Sequence, residues 1–241
     1  MSKHITHIIN EEKSFVLCTK PVGISSQAES GKDKESMLDV VSQALGIDVE
    51  SVFPVHRLDT DTSGVMVYAK TPLAAKKLSA LVFEHRMDKR YIAIVHGVPD
   101  EPCGVFKDFL FKDSSRGKSF VVDKMRKGVK DASLEYTVLS TIESQQYGRL
   151  SLVCIKLHTG RTHQIRVQFS SRNMPLVGDR RYGGNDGCGM ALHAYSLEFD
   201  NPFVKGKKVS GVFFPDVNEL PWSIFADEIH KLTGDLSEPQ T

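Results

Sequence analysis

Short apolar runs separated by turn residues dominate this chain, and they fall into strand-like and helix-like periods. Residues 14–19 (SFVLCT) form a run of strand length, broken by Lys20-Pro21-Val22-Gly23, where proline and glycine impose a turn. Residues 27–35 are polar and predict a mobile loop. Ser36-x-x-Asp39 resembles a helix-opening box, with Leu38, Val41 and Leu45 following at helical spacing and Gly46 as the stop. Residues 64–69 (GVMVYA) predict a strand. Thr71 then caps a helix with Pro72 at its first position and Leu78, Leu81, Val82 and His85 along one face. Residues 91–95 (YIAIV) are the next strand, ended by Gly97.

Residues 150–157 are apolar on both faces, which predicts a strand in the middle of the core. A helix is expected over 162–172, opened by Thr162 and closed near Asn173-Met174-Pro175. Residues 192–199 read as a strand, 221–232 as a terminal helix and 237–241 as a frayed tail. Strands and helices mix without strict alternation, which argues for α+β rather than a doubly wound sheet.

Composition changes this picture little. The 241 residues allow one substantial core, and 40% hydrophobic with 25% charged content is ordinary for a globular protein. No apolar run is long enough to span a bilayer, and residues 1–13 lack the apolar centre of a signal peptide. Cys18, Cys103, Cys154 and Cys188 form no Cys-x-x-Cys pair, so reduced thiols in a cytoplasmic protein are expected.

Charge is more informative locally than globally. The net charge is only +1, so any affinity for nucleic acid must come from clustering. Residues 107–130 supply it, with eight basic residues against three acids. Gly117 and Gly128 mark turns around Phe120-Val121-Val122, the pattern of a basic hairpin projecting from the body, with Lys124, Arg126 and Lys127 at its densest part.

Two stretches carry candidate chemistry. His56-Arg57-Leu58-Asp59-Thr60-Asp61-Thr62-Ser63-Gly64 surrounds Asp59 with hydroxyl and backbone donors that can orient a carboxylate, and a strand follows at once. A lone turn aspartate would otherwise be paired with Arg57 or with its own loop. An aspartic-protease site would need Gly where Ser63 stands. A nucleophile elbow at Ser63 would need glycines at Asp61 and Val65. Gly117-Lys118-Ser119 lacks the earlier glycine of a phosphate loop, Lys112 standing there instead. In the second stretch, 159–166 (TGRTHQIR), Arg161 and Arg166 are expected about a turn apart near the start of a helix. Arg172 fits a solvated basic face, whereas Arg166 lies between Ile165 and Val167, and a buried guanidinium needs a carboxylate. Tyr91, opening a strand after Arg86, Lys89 and Arg90, is either core packing or a ring that stacks on a base.

Taken in order, these motifs resemble those of the RluA-type pseudouridine synthases. Lys20-Pro21-x-Gly23 is similar to the family's first motif, and residues 56–64 match HRLDxxTSG, in which Asp59 would be the catalytic aspartate. Residues 89–97 resemble the segment carrying the active-site tyrosine, here Tyr91. Residues 160–166 match GRxHQIR, whose last arginine, Arg166, would pair with the aspartate. Pro175-Leu176-Val177-Gly178-Asp179 with Tyr182-Gly183, then Leu192-His193-Ala194, fit the remaining motifs.

The resemblance implies an α+β catalytic domain with a long, mixed, largely antiparallel sheet, flanking helices and a central cleft. It would span 1–241 as a single domain, with a motif-bearing core of about 14–232 and no N-terminal S4 module. It implies isomerisation of uridine to pseudouridine in ribosomal or transfer RNA, without metal or organic cofactor, by a monomer. His56, Arg57, Arg90, Arg161 and His163 would join Lys124, Arg126 and Lys127 in contacting RNA. The alternative is a catalytically silent RNA-binding or RNA-folding protein on the same scaffold, which would be expected to lack Asp59, Tyr91 or Arg166.

Overall fold

The computed structural model describes residues 4–28 and 34–235. In chain order its elements are β1 (Ile8–Glu11), β2 (Phe15–Lys20), α1 (Met37–Leu45), β3 (Phe53–Pro54), β4 (Ser63–Ala69), α2 (Pro72–Phe83), β5 (Met87–His96), β6 (Cys103–Asp113), β7 (Lys118–Val122), β8 (Val129–Ser144), β9 (Gly148–Leu157), α3 (Gln164–Ser170), β10 (Leu192–Asp200), β11 (Lys208–Val212) and α4 (Ala226–Asp235), the last preceded by a 3-10 turn over Trp222–Phe225. Helices and largely antiparallel strands make the chain α+β, as its pattern predicts. They pack as two compact units, Met1–Lys89 with Ala194–Phe213, and Arg90–His193 with Phe214–Thr241.

In the first unit the strand order is β1-β2-β4-β10, with β3 on β4 and β11 on β10. The pairings of β2 with β1 and β4, of β3 with β4 and of β10 with β11 are antiparallel. All six residues of β2 are buried, so the strand is covered on both faces. Phe15, Leu17, Val65, Val67 and Ala69 present one face of β2 and β4 to Ala74, Leu78 and Leu81 of α2. Thr71 caps α2 by accepting the Ala74 N–H at 3.2 Å, with Pro72 next, as expected. The helix stops at Phe83, so His85, expected on its face, lies beyond it with φ +55° and exposed. The Arg86 N–H on the Leu81 carbonyl closes that end. Ser36 and Asp39 form the reciprocal box at the start of α1, and Gly46 ends it in the left-handed conformation. The buried face of α1 is Met37, Val40 and Val41; of the stripe the spacing suggests, Val41 is buried while Leu38 and Leu45 are half-buried. The loop expected over 27–35 falls largely on residues 29–33, outside the described residues, as does the tail 237–241.

In the second unit the order is β5-β9-β8-β6-β7, all antiparallel. β9, apolar on both faces, lies between β5 and β8 as its pattern requires. β8 alternates at Ala132, Leu134 and Tyr136, which are buried together with Val129. The basic segment does form a hairpin, β6–β7, with Phe111 opposite Phe120. It does not project from the body. Leu110 and Val121 pack with Ala132, Val167 and Tyr182, and Ser119 is buried, so one face of the hairpin lies against α3. The helix expected over 162–172 is only α3, seven residues long. His163 holds φ +55°, which a helix interior does not accept, and Asn173 at φ +58° ends the segment after the last turn. Arg161 therefore stands outside the helix.

Gly64 marks the tightest approach in the first unit. It holds φ +126°, and a β-carbon there would collide with the Ala194 carbonyl oxygen and lie 2.6 Å from the Ala194 nitrogen. Gly64→Ala should cost ~3 kcal/mol or more, since strained backbone and overpacking each cost about 1–3 kcal/mol. An unchanged melting temperature would mean that β4 and β10 do not meet this closely.

Candidate active site

The Asp59 loop is fastened from beneath by the turn after β2. The Lys20 side chain is sealed from solvent, and its ammonium donates to the carbonyls of Pro21 and Ile24 at 2.8 Å each and of Thr60 at 3.2 Å. The Gly23 N–H reaches the same Thr60 oxygen at 2.8 Å. On the other side of Asp59, the Ser26 hydroxyl donates to the Leu58 carbonyl at 2.8 Å and accepts the Leu58 N–H at 3.0 Å. The Tyr68 hydroxyl from β4 donates to the Ser26 carbonyl at 2.8 Å. The Thr62 N–H closes the loop on the Asp59 carbonyl at 3.0 Å. Both neighbours of Asp59 are thus bound to the core while its half-buried side chain stands between them.

Charge accompanies this geometry. Burial pushes the Lys20 ammonium down to about 8, the Asp59 and Asp61 carboxylates pulling the other way. Below that pH a buried cation lies under a loop carrying two acids. His56 plays a different part. Its Nε2 accepts the Val67 N–H at 3.2 Å, and burial with the Lys89 charge pushes the ring down to about 3. It is a neutral ring that secures the loop to β4. Arg57 is exposed.

In the second unit Tyr91 is buried on β5, opposite Ile155 of β9. Arg90 is exposed, and neighbouring residues of a strand point to opposite faces. Arg166 is buried on α3, and Asp179, also buried, takes its Nε at 2.7 Å and its Nη2 at 2.8 Å in a two-pronged pair. Asp179, a residue of the fifth motif, is thus the described carboxylate of this pair. The Tyr182 ring lies 5.3 Å from the Arg166 guanidinium carbon, and His163 Nδ1 lies 3.0 Å from the Tyr182 hydroxyl. Arg161 Nε donates to the Asp131 carbonyl at 2.9 Å. Arg172 is not solvated as expected. It pairs with Asp108 at 3.0 Å and lies 4.0 Å over the Phe106 ring. Lys124, Arg126 and Lys127 are exposed in the connection between β7 and β8, with Arg126 5.6 Å over the Phe111 ring.

Lys20, Ser26 and Tyr68 are the residues whose roles sequence reasoning missed. Only Lys20 carries a signal: a charge ending a mostly apolar strand, next to proline. None of the four cysteines is in a disulfide. Among the described residues no helix is long and apolar enough to cross a membrane.

Residues 14–171 match the family described as RNA pseudouridylate synthase. The chain is 35% identical over 204 residues to ribosomal large subunit pseudouridine synthase D of Borreliella burgdorferi, covering 80% of this chain and 60% of that protein. It is 34% identical over 180 residues to ribosomal large subunit pseudouridine synthase C of Buchnera aphidicola, covering 73% and 53%. It shares its fold with human RNA pseudouridylate synthase domain containing 1, with TM-score 0.72, 21% identity and coverage of 98% and 96%. The chain spans little more than half the length of the two bacterial relatives. It belongs to the RNA pseudouridylate synthase family, and its motifs are those of the RluA type.

The buried Lys20 has a signature in stability. Its pKa is lower in the folded chain than in the unfolded one, near 10.5, so between the two values the unfolded chain holds a proton that the folded chain has released. The cost of the buried charge is therefore constant below about pH 8 and is relieved as pH rises toward 10.5. Against Lys20→Met, which does not titrate, the wild type should gain up to ~3 kcal/mol across this window. A difference that stays flat with pH, measured by chemical denaturation, would show that Lys20 does not titrate there.

Proposed function

We propose that this chain isomerises uridine to pseudouridine in RNA, with Asp59 as the essential carboxylate. The observation that carries the reading is the Asp59 loop, tied at Leu58 and Thr60 to Ser26, Gly23 and Lys20. A carboxylate on a loop so held is pre-oriented for chemistry at one atom. Family membership supports the reaction class.

In the reaction the bond between N1 of uracil and the ribose C1′ breaks, the base turns and C5 bonds to C1′; the C5 proton is then removed while N1, freed from the sugar, takes one up, so that no atom is gained or lost. Asp59 either attacks C1′ or removes the C2′ proton, and both routes require its ionised form. The family's motif assigns Arg166 to the same reaction as its cation. Tyr91 stacks on the uracil and assists at C5. The target base must leave its stack to be reached. The RNA is ribosomal or transfer RNA, and the protein works where those RNAs are, in the cytoplasm. The names of the two bacterial relatives favour the large ribosomal subunit.

Asp59→Asn should abolish turnover on a uridine RNA that the wild type modifies, with melting and RNA affinity close to wild type. Near-normal turnover would overturn the assignment. Mapping pseudouridines across cellular RNA with and without the gene names the substrate as the site that disappears.

The basic stretch 107–130 supplies affinity rather than chemistry. Neutralising Lys124, Arg126 and Lys127 together should weaken RNA binding and flatten its salt dependence, by roughly 0.7 in the log–log slope per lost phosphate contact on single strands. An unchanged slope would move the binding surface elsewhere, to Arg57, Arg86 to Arg90 or Arg180-Arg181.

A further inference from the structure

Arg166 does not depend on its own helix for its aim. A guanidinium is planar, with five N–H donors in a rigid fork. Engaging Nε and Nη2 with the two oxygens of one carboxylate fixes that plane, and with it the direction in which the remaining donors, two on Nη1 and one on Nη2, point. Asp179 makes this engagement at 2.7 and 2.8 Å with both partners buried.

Asp179 is itself held by its turn. Its Oδ1 accepts the Arg181 N–H at 3.2 Å, and its backbone carbonyl accepts the N–H groups of Tyr182, Gly183 and Gly184 at 2.9–3.1 Å. That turn brings Tyr182 under the guanidinium. The Tyr182 hydroxyl accepts the Ser119 N–H at 2.8 Å and lies 3.0 Å from His163 Nδ1, so the ring is pinned both to β7 and to the residue opening α3. Its ring also faces Lys118, whose Nζ lies 4.7 Å from the centroid.

Stability alone does not account for the arrangement. A buried ion pair is often no more stable than apolar side chains packed in its place. What the pair supplies is orientation. We propose that Asp179 and Tyr182 are positioning residues that aim the Arg166 guanidinium for the reaction, Asp179 through the two-pronged bond and Tyr182 through the ring beneath it. The inference rests on the catalytic reading of Arg166 given above.

The test is the single-turnover rate at saturating RNA, with RNA affinity and thermal melting measured on the same proteins. Asp179→Asn keeps the shape and the oxygen that receives the Arg181 N–H, but loses the charge. It should slow turnover by ~10- to 100-fold, the scale of a small misplacement of a catalytic group, with RNA affinity unchanged. In an Arg166→Lys background the same substitution should cost little more, because the two act as a unit. A folded Asp179→Asn protein with wild-type rate, or losses that multiply in the double variant, would overturn the proposal. If Asp179→Asn does not fold, Tyr182→Phe decides. It removes one hydroxyl, should slow turnover several-fold without weakening RNA binding, and overturns the proposal if its rate is that of the wild type. An inactive Asp59→Asn beside an unimpaired Asp179→Asn would refute only this inference, whereas an active Asp59→Asn would refute the catalytic reading beneath it.

Discussion

The ammonium of Lys20, closed off from water, must satisfy its donors on protein oxygens, and the oxygens it finds belong to Pro21, Ile24 and Thr60. A buried charge left without partners costs several kcal/mol, so the turn after β2 and the loop bearing Asp59 cannot separate without exposing that debt. The first unit is organised around this requirement. β2 is buried along its whole length and delivers its last residue beneath the loop, and β4 leaves the loop at Gly64, where only a glycine fits. Ser26 and Tyr68 then fasten the other end. The motif Lys-Pro-x-Gly is thereby a support for the aspartate.

The second unit applies the same logic with the charges reversed in order. There a buried cation, Arg166, is held by a buried carboxylate, Asp179. In both units a polar group is brought out of water, and the structure around it is obliged to supply hydrogen bonds in one geometry. Such groups add little net stability, but they penalise every alternative arrangement of the backbone that carries them.

Much of this was legible in the chain. The apolar run of β9 announced a central strand, and Thr71-Pro72 and Ser36-x-x-Asp39 announced helix starts, because those signals are local. His56, expected to contact RNA or to structure its loop, accepts a backbone N–H from Val67, eleven positions away, a contact no local pattern reveals. The length of α3 was misjudged because its opening depends on the Gln164 side chain, which accepts the Arg161 N–H and the Thr159 hydroxyl and leaves no helical place for Thr162. The hairpin was read as free because its charges are exposed; its attachment runs through Ser119 and Val121, two small residues whose neighbours are distant in sequence. The part played by Asp179 was hidden for the same reason. A short acidic side chain after glycine looks like any turn residue until its partner on another element is known.

Six of the seven residues of α3 are buried, polar ones included. An ordinary surface helix can drift in sequence along its wet side while its dry side is kept. This one has no wet side to spare. Gln164 is committed to Ser133 and Thr159, Gln168 to Asp108, Arg166 to Asp179, and the apolar positions to the core. Nearly every letter is consequently spoken for by a different neighbour, and the segment carries more information per position than a helix of its length normally does. A string so short can act as a signature of the whole fold because its neighbours leave it almost no synonyms.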